Sequence, residues 1–319
     1  MREDGQTPTM RSSGTREDSR MTVAGSRATP TSDGKTLHLT NPGKIMYPAT
    51  GLTKAGVIAY YAAVSDVLLV QLRDRIVTRI RYPDGTGGQR FFEKNTSAAV
   101  PGWIRRFLIS ASPETGKPAK RVRYPVIDTE AGLLWMANQA ALELHTLQWR
   151  VGPRGGVRNP DRLVIDLDPG EGVGLDECAC VARLVAARLT EDDLHAFPVT
   201  SGSKGIHLYA ALDGKRSALA IHAYVQKLAR DLAALHPDGI VAVIGKEERT
   251  GKVMIDWSQN HPARSTATPY SLRGGDTPAV AAPRAWEELT TGLTQLGPDE
   301  VVARLKTDGD LMDRVRWDS

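Results

Sequence analysis

The run Leu163-Val164-Ile165-Asp166-Leu167-Asp168-Pro169-Gly170 places two acids one residue apart at the end of an apolar stretch. On a β-strand, residues i and i+2 project to the same face, so Asp166 and Asp168 aim two carboxylates at one point. Like charges a few ångströms apart raise one pKa unless a cation neutralises them, and hard oxygen ligands suit Mg²⁺ or Mn²⁺. The structural alternative is an Asp-Pro-Gly corner whose acids only cap the turn. A second apolar run, Val253-Met254-Ile255, leads to Asp256. Read alone, Asp256 is an ordinary strand-end acid; read with the other two, it completes a carboxylate site for two divalent cations.

Thr200-Ser201-Gly202-Ser203-Lys204-Gly205-Ile206-His207 gathers hydroxyls, glycine-freed amides and an ammonium in one turn, the components of a phosphate cradle. It does not have the Walker spacing, and a plain hairpin corner is its alternative. Arg273 offers a guanidinium suited to bidentate phosphate contact, and Gln259 a neutral donor, if both face the same cleft. His145 and His207 read more simply as a helix-end and a strand histidine. Near the start, Asn41, Lys44 and Lys54 surround a turn and a helix start, suitable for one more phosphate. Phe91 and Phe92, flanked by Arg90 and Lys94, form an aromatic platform with cationic edges, a pattern for stacking on an unpaired base; burial of at least one Phe is equally expected.

These residues need elements to position them. Thr53 caps a helix of about five turns carrying Val57, Tyr60, Tyr61, Val64, Val67 and Leu68 at three- and four-residue spacings. Residues 76–82 alternate as a strand with Arg79 and Arg81 on one face, Asp84-Gly85 makes a turn, and Phe91-Phe92 opens the next strand. Residues 129–145 read as a helix ending at His145, and 162–167 as a buried strand. Helices follow at 176–190 and 216–235, with extended segments at 196–200 and 206–211 between them. A short strand at 253–257 precedes two C-terminal helices, about 284–292 and 298–306. The pattern predicts a mixed α and β architecture with functional groups at strand ends. Residues 1–35, rich in Ser, Thr, Gly, Pro and charge, read as a disordered tail, with Met21 an alternative start. Residues 36–319 then make a single domain, in which an N-terminal module (about 36–125) precedes a catalytic one (about 126–319).

Composition narrows the setting. The 319 residues carry 41% hydrophobic and 24% charged side chains, with a mean hydropathy of −0.30, which excludes wholesale disorder. No apolar run approaches the roughly 20 residues that span a bilayer, so no membrane partner is expected. Cys178 and Cys180 are too few for a disulfide framework or a four-ligand zinc site, and no signal peptide is visible, which points to a reducing cytoplasm. The net charge is only +4, but residues 72–125 hold twelve Lys or Arg against four acids, an excess of eight. The alternatives are a solvated basic face and a polyanion partner, of which nucleic acid is the commonest.

Seven blocks in order, LTNPGKIMYPATGLTK, FFEK, ALELH, DLDPGEGV, FPVTSGSKGIHLY, VMIDWSQN and TPYSLRG, resemble the polymerase domain of the bacterial ligase-D end-joining system, a branch of the archaeo-eukaryotic primase superfamily. The similarity runs from about Leu37 to Arg314. It implies an α+β fold of mixed and antiparallel sheets flanked by helices, with a primase-like catalytic core in which Asp166, Asp168 and Asp256 hold two divalent cations, Mn²⁺ or Mg²⁺. It also implies that His145, Ser201, Lys204, His207, Gln259 and Arg273 contact an incoming nucleoside triphosphate. By the same resemblance Asn41, Lys44 and Lys54 bind a downstream 5′-phosphate, Phe91 or Phe92 stacks on the template, and a loop at 246–252 with Arg249 reaches the opposing DNA end. One position departs from the pattern: Ile80 stands where the enzymes it resembles tend to carry a lysine for phosphate or template.

The implied activity is nucleotidyl transfer to a primer 3′-hydroxyl, favouring ribonucleotides, in gap filling or double-strand break end joining at the nucleoid. No ligase or nuclease segment is recognisable, so a separate DNA ligase and an end-binding protein are the expected partners. Two other functions compete: primer-independent priming, and non-catalytic bridging of DNA ends.

Overall fold

The computed structural model describes residues 31–32, 34–97, 100–110, 121–242, 245 and 247–314. Most of the tail expected to be disordered lies outside these residues, as do Lys117, Lys120 and Lys246. The tail's last part is ordered: Thr31–Ser32 pairs antiparallel with Lys35–Thr36.

Two sheets carry the architecture. The larger has six strands in the spatial order Ile240–Val241, Val253–Asp256, Arg162–Pro169, Ile206–Ala211, Ala196–Thr200 and Ala282–Pro283; all neighbours are antiparallel except the first two, which are parallel. The smaller has four, in the order Thr266–Ala267, Ala141–Thr146, Val77–Arg81 and Phe91–Glu93, all antiparallel. The expected α+β class, with mixed and antiparallel sheets, is what the chain adopts.

Side-chain alternation on the central strand Arg162–Pro169 divides the molecule. Leu163, Ile165 and Leu167 point into a core formed with the helices Leu175–Glu191 and Ala218–Leu235, through Val181, Val185, Val225 and Leu228. Val164 points the other way, into a core built with Val57, Tyr61, Leu133, Leu144 and Tyr209. Asp166 and Asp168 therefore emerge on the face turned from the two long helices and toward the smaller sheet.

Three elements differ from the sequence expectation. The first helix is two, Lys54–Ala63 and Ser65–Leu72, bent by 76°. No glycine or proline marks the break, which falls at Val64. The helix expected to reach His145 stops at Asn138; Ala140 takes a φ of +59°, and the chain continues as the strand Ala141–Thr146. His145 is thus a strand residue of the smaller sheet. Of the two C-terminal helices, only Pro298–Thr307 forms; residues 286–288 make a single 3₁₀ turn.

The basic face expected on the Val77–Arg81 strand is not free. Glu93, on the neighbouring strand, takes Arg79 at 2.6 Å and Arg81 at 2.8 Å, and Arg79 is buried. Arg75 is likewise buried against Asp161, and Arg105 meets Asp74 and Asp128. Part of the local cationic excess therefore holds the fold together. Among the described residues no single helix is long and apolar enough to cross a membrane.

Candidate active site

The antiparallel register sets the acids. Asp166 lies directly opposite Asp256 on one neighbouring strand and opposite His207 on the other. One oxygen from each of Asp166, Asp168 and Asp256 falls within 4.8 Å of the other two. Burial pushes the Asp166 carboxyl well above its usual range, and the charges of Asp168 and Asp256 push it further. Burial and Asp256 also raise Asp168, while Arg249, Arg273 and Lys204 pull it back down. Three crowded carboxylates in this state are an all-oxygen donor set whose repulsion a hard divalent cation relieves, so the residues fit Mg²⁺ or Mn²⁺.

Asp256 is oriented from behind: the Ser258 N–H donates to Oδ1 at 2.9 Å and the Gln259 amide to Oδ2 at 3.1 Å. In this arrangement Gln259 serves the acid. His207 Nε2 stands 3.4 Å from Asp166 Oδ1. Burial, then Arg273 and His145, push the His207 ring down to about 3, so it is neutral at physiological pH.

The Ser201–Gly205 turn sits beside the acids because its backbone is pressed against their strand. A Cβ on Gly205 would lie 1.9 Å from the Leu167 carbonyl oxygen, so only glycine permits this approach. The Ser201 hydroxyl accepts the N–H groups of Ser203 and Gly205 at 3.2 and 3.1 Å, which fixes the turn. Lys204 and Arg249 line one open pocket of about 600 Å³ with Pro169, Gly170, Glu171 and Thr250. The Arg249 loop is tied to the acid strand by the Gly170 N–H donating to the Lys252 carbonyl at 2.9 Å.

Arg273 joins the two sheets. Its Nη1 donates to the Ser201 carbonyl at 2.7 Å on one side and its Nε to Glu143 at 2.9 Å on the other. Glu143 also meets His145 Nε2 at 3.0 Å. Glu143 lies inside the ALELH block but does not stand out in sequence, because a run of Ala, Leu and Glu reads as helix.

The other expected residues fall elsewhere. Asn41 turns through a φ of +50°, and its carbonyl accepts the Lys44 N–H at 3.0 Å. Lys44 reaches Asp84 at 2.9 Å in an exposed pair. Lys54 is buried, its ammonium donating to Thr40 and, at 3.1 Å, to the Asn138 carbonyl. Burial lowers the Lys54 pKa, and the nearby charges of Lys44 and Arg81 lower it further, so three cations share this corner. Phe91 and Phe92 are both exposed, at 41% and 56%, so of the two alternatives the one with a buried Phe does not hold. Lys94 lies over the Phe92 ring at 5.6 Å. Ile80 sits across the ladder from both Phe92 and Glu143.

Residues 53–312 match the family described as LigD, primase-polymerase domain. The chain belongs to that family. It is 44% identical to the multifunctional non-homologous end joining protein LigD of Mycobacterium bovis over 287 residues, 88% of this chain and 37% of that protein. The bifunctional non-homologous end joining protein LigD of Bacillus subtilis is 30% identical, over 86% of this chain and 43% of that protein. The chain thus spans less than half the length of these relatives. Among solved structures, the polymerase domain from Mycobacterium tuberculosis ligase D in complex with DNA superposes with a TM-score of 0.83. It is 43% identical, and the match covers 89% of this chain and 99% of that one. The resemblance read from the seven blocks and the primase-like fold are both shown by these matches. For a LigD primase-polymerase domain, the acidic triad is the candidate centre of a nucleotidyltransferase.

Proposed function

We propose that this LigD-family domain extends a DNA primer from its 3′-hydroxyl, on substrates with short gaps or broken ends, and that it favours ribonucleotides. The convergence of Asp166, Asp168 and Asp256 from two paired strands carries this reading. In the reaction the 3′-oxygen bonds to the α-phosphorus, the α-phosphorus to bridging-oxygen bond breaks, pyrophosphate leaves, and the hydroxyl proton passes to solvent.

Two Mg²⁺ or Mn²⁺ ions held by the three acids would supply Lewis acidity for the hydroxyl and charge neutralisation for the triphosphate. The chain's own residues do the rest. Ser258 and Gln259 hold the Asp256 carboxylate in place. Lys204 offers its ammonium to phosphate oxygens from the Ser201–Gly205 turn, whose Gly202, Ser203 and Gly205 N–H groups already donate within the protein, and Arg273 and the His145 ring complete the nucleotide side. His207, kept neutral by burial, adds no charge beside Asp166. Residues 36–125 act as the DNA-holding module: Asn41, Lys44 and Lys54 receive the downstream 5′-phosphate, and Phe91 or Phe92 stacks on the template. Arg249, at the rim of the pocket beside Lys204, reaches an opposing DNA end. End joining at the nucleoid, with a DNA ligase and an end-binding protein, is the setting these parts suit.

Primer extension on a gapped duplex, with and without a 5′-phosphate and with ribo- and deoxyribonucleotides in turn, tests the reading. Metal-dependent extension, stronger with the 5′-phosphate, is expected. Product without primer favours priming instead. Gap binding that weakens with salt but yields no metal-dependent product favours end bridging.

A further inference from the structure

A carboxylate that touches none of the three acids organises the nucleotide side of the site. Glu143 is 2% exposed, and all its bonding capacity is used by four donors. The Tyr82 hydroxyl donates to Oε1 at 2.7 Å and the Gly274 N–H to the same oxygen at 3.1 Å. Arg273 Nε donates to Oε2 at 2.9 Å, and His145 Nε2 stands 3.0 Å from it. The side chains of His145 and Arg273 keep 12% and 20% exposure against 3% for Glu143, so the acid lies behind both.

Packing leaves this network no slack. A Cβ on Gly274 would fall 2.1 Å from the Tyr82 hydroxyl, and Arg273 is pinned at its other ends as well, by the Tyr47 hydroxyl on its carbonyl at 2.8 Å and by the Ser201 carbonyl on Nη1. One buried negative charge thus fixes the direction of two side chains that reach the cleft and, through Arg273, the carbonyl of the Ser201 turn.

Resting on the proposed polymerase reading, we propose that Glu143 is a positioning residue for the nucleoside triphosphate, acting through His145 and Arg273 without touching substrate. Glu143→Gln keeps the size and one acceptor oxygen but turns an NH₂ toward two donors, so Arg273 and His145 lose their common anchor.

Extension kinetics, nucleotide binding and melting of Glu143→Gln test this. The expected result is a rise of about tenfold or more in nucleotide KM, with a smaller change in kcat and with affinity for 5′-phosphorylated gapped DNA within about twofold of wild type. Glu143→Asp, which keeps the charge, should recover part of the loss. Added to Arg273→Ala, the Gln substitution should cost much less than it does in the wild type, because its effect runs through a side chain already gone. An unchanged KM accompanied only by a lower Tm overturns the proposal, as does full additivity with Arg273→Ala. Should Glu143→Gln fail to fold, Glu143→Asp is measured by the same two criteria. If the wild type extends no primer, the polymerase reading fails first. Titration of wild type and variants with a Mn²⁺–nucleoside triphosphate then decides the positioning role separately: about tenfold weaker binding by Glu143→Gln supports it, and equal binding overturns it.

Discussion

Asp166 and Asp256 face each other as direct partners across two antiparallel strands, although ninety residues separate them in the chain. Their pairing brings the third carboxylate, Asp168, within reach and makes the triad a product of strand register.

Asp256→Asn should abolish primer extension, by at least about a thousandfold, while binding to gapped DNA stays within about twofold of wild type. Mn²⁺ is expected to raise the Tm of the wild-type protein by binding the folded triad and not the unfolded chain, and Asp256→Asn should remove that rise. A full metal-induced Tm shift in this variant counts against the triad as the cation site.

Lys44→Ala should weaken binding to a 5′-phosphorylated gap about tenfold and leave binding to the unphosphorylated gap nearly unchanged, with a shallower salt dependence. Lys54→Met should lose the same discrimination and also cost about 1–3 kcal/mol in folding, because the carbonyls of Thr40 and Asn138 lose their donor. Fluorescence anisotropy with paired oligonucleotides and chemical denaturation check both.

Phe92→Ala should reduce template-dependent extension more than Phe91→Ala. Phe92 is the more exposed ring, carries Lys94 over it, and shares a cross-strand pair with Ile80 beside the nucleotide side of the cleft. A loss of about 1–3 kcal/mol in stacking, read as the affinity for a gap with an unpaired template base, is expected.

Burial raises Glu143, but the His145 hydrogen bond, the Arg273 charge and the Tyr82 hydroxyl outweigh it and bring the carboxyl down to about 2, below its ordinary 4.5. A depressed carboxylate stabilises the fold above its unfolded pKa, and that stability is lost as pH falls from about 4.5 toward 2. Glu143→Gln should therefore flatten part of the acid limb of the stability curve, by an amount on the order of 3 kcal/mol. Denaturant titrations at pH 6 and pH 3 on both proteins check this: pH 3 still lies above the folded value, so about 2 kcal/mol of the total is expected to be lost over that range.

Gly205→Ala should cost about 3 kcal/mol or more, or push the Ser201 turn off the acid strand, because no side-chain movement clears the Leu167 carbonyl. Nucleotide affinity should fall along with the Tm.

The acids were legible in sequence because each follows an apolar run whose alternation fixes its face, as with Leu163, Ile165 and Leu167 around Asp166. The glycine-bounded turn at Ser201 was legible for a similar reason. His145 reads as helical in sequence because Ala141-Leu142-Glu143-Leu144 favours helix by propensity, while pairing with Val77–Arg81 on one side and Thr266–Ala267 on the other decides for strand. Such pairing depends on distant segments and leaves no local mark, so Glu143, whose donors come from residues 82, 145, 273 and 274, stayed hidden as well. The basic strand misled in the other direction: charge counting sees Arg79 and Arg81 but not that Glu93 arrives on the neighbouring strand.

Because Asp166 takes its opposite partners, Asp256 and His207, from the two ladders that flank its strand, a slip of that strand by one residue would turn the carboxylate into the helix-side core and strand Leu167 in the cleft. The ladders that hold this sheet together thus also decide which side chains face the cleft.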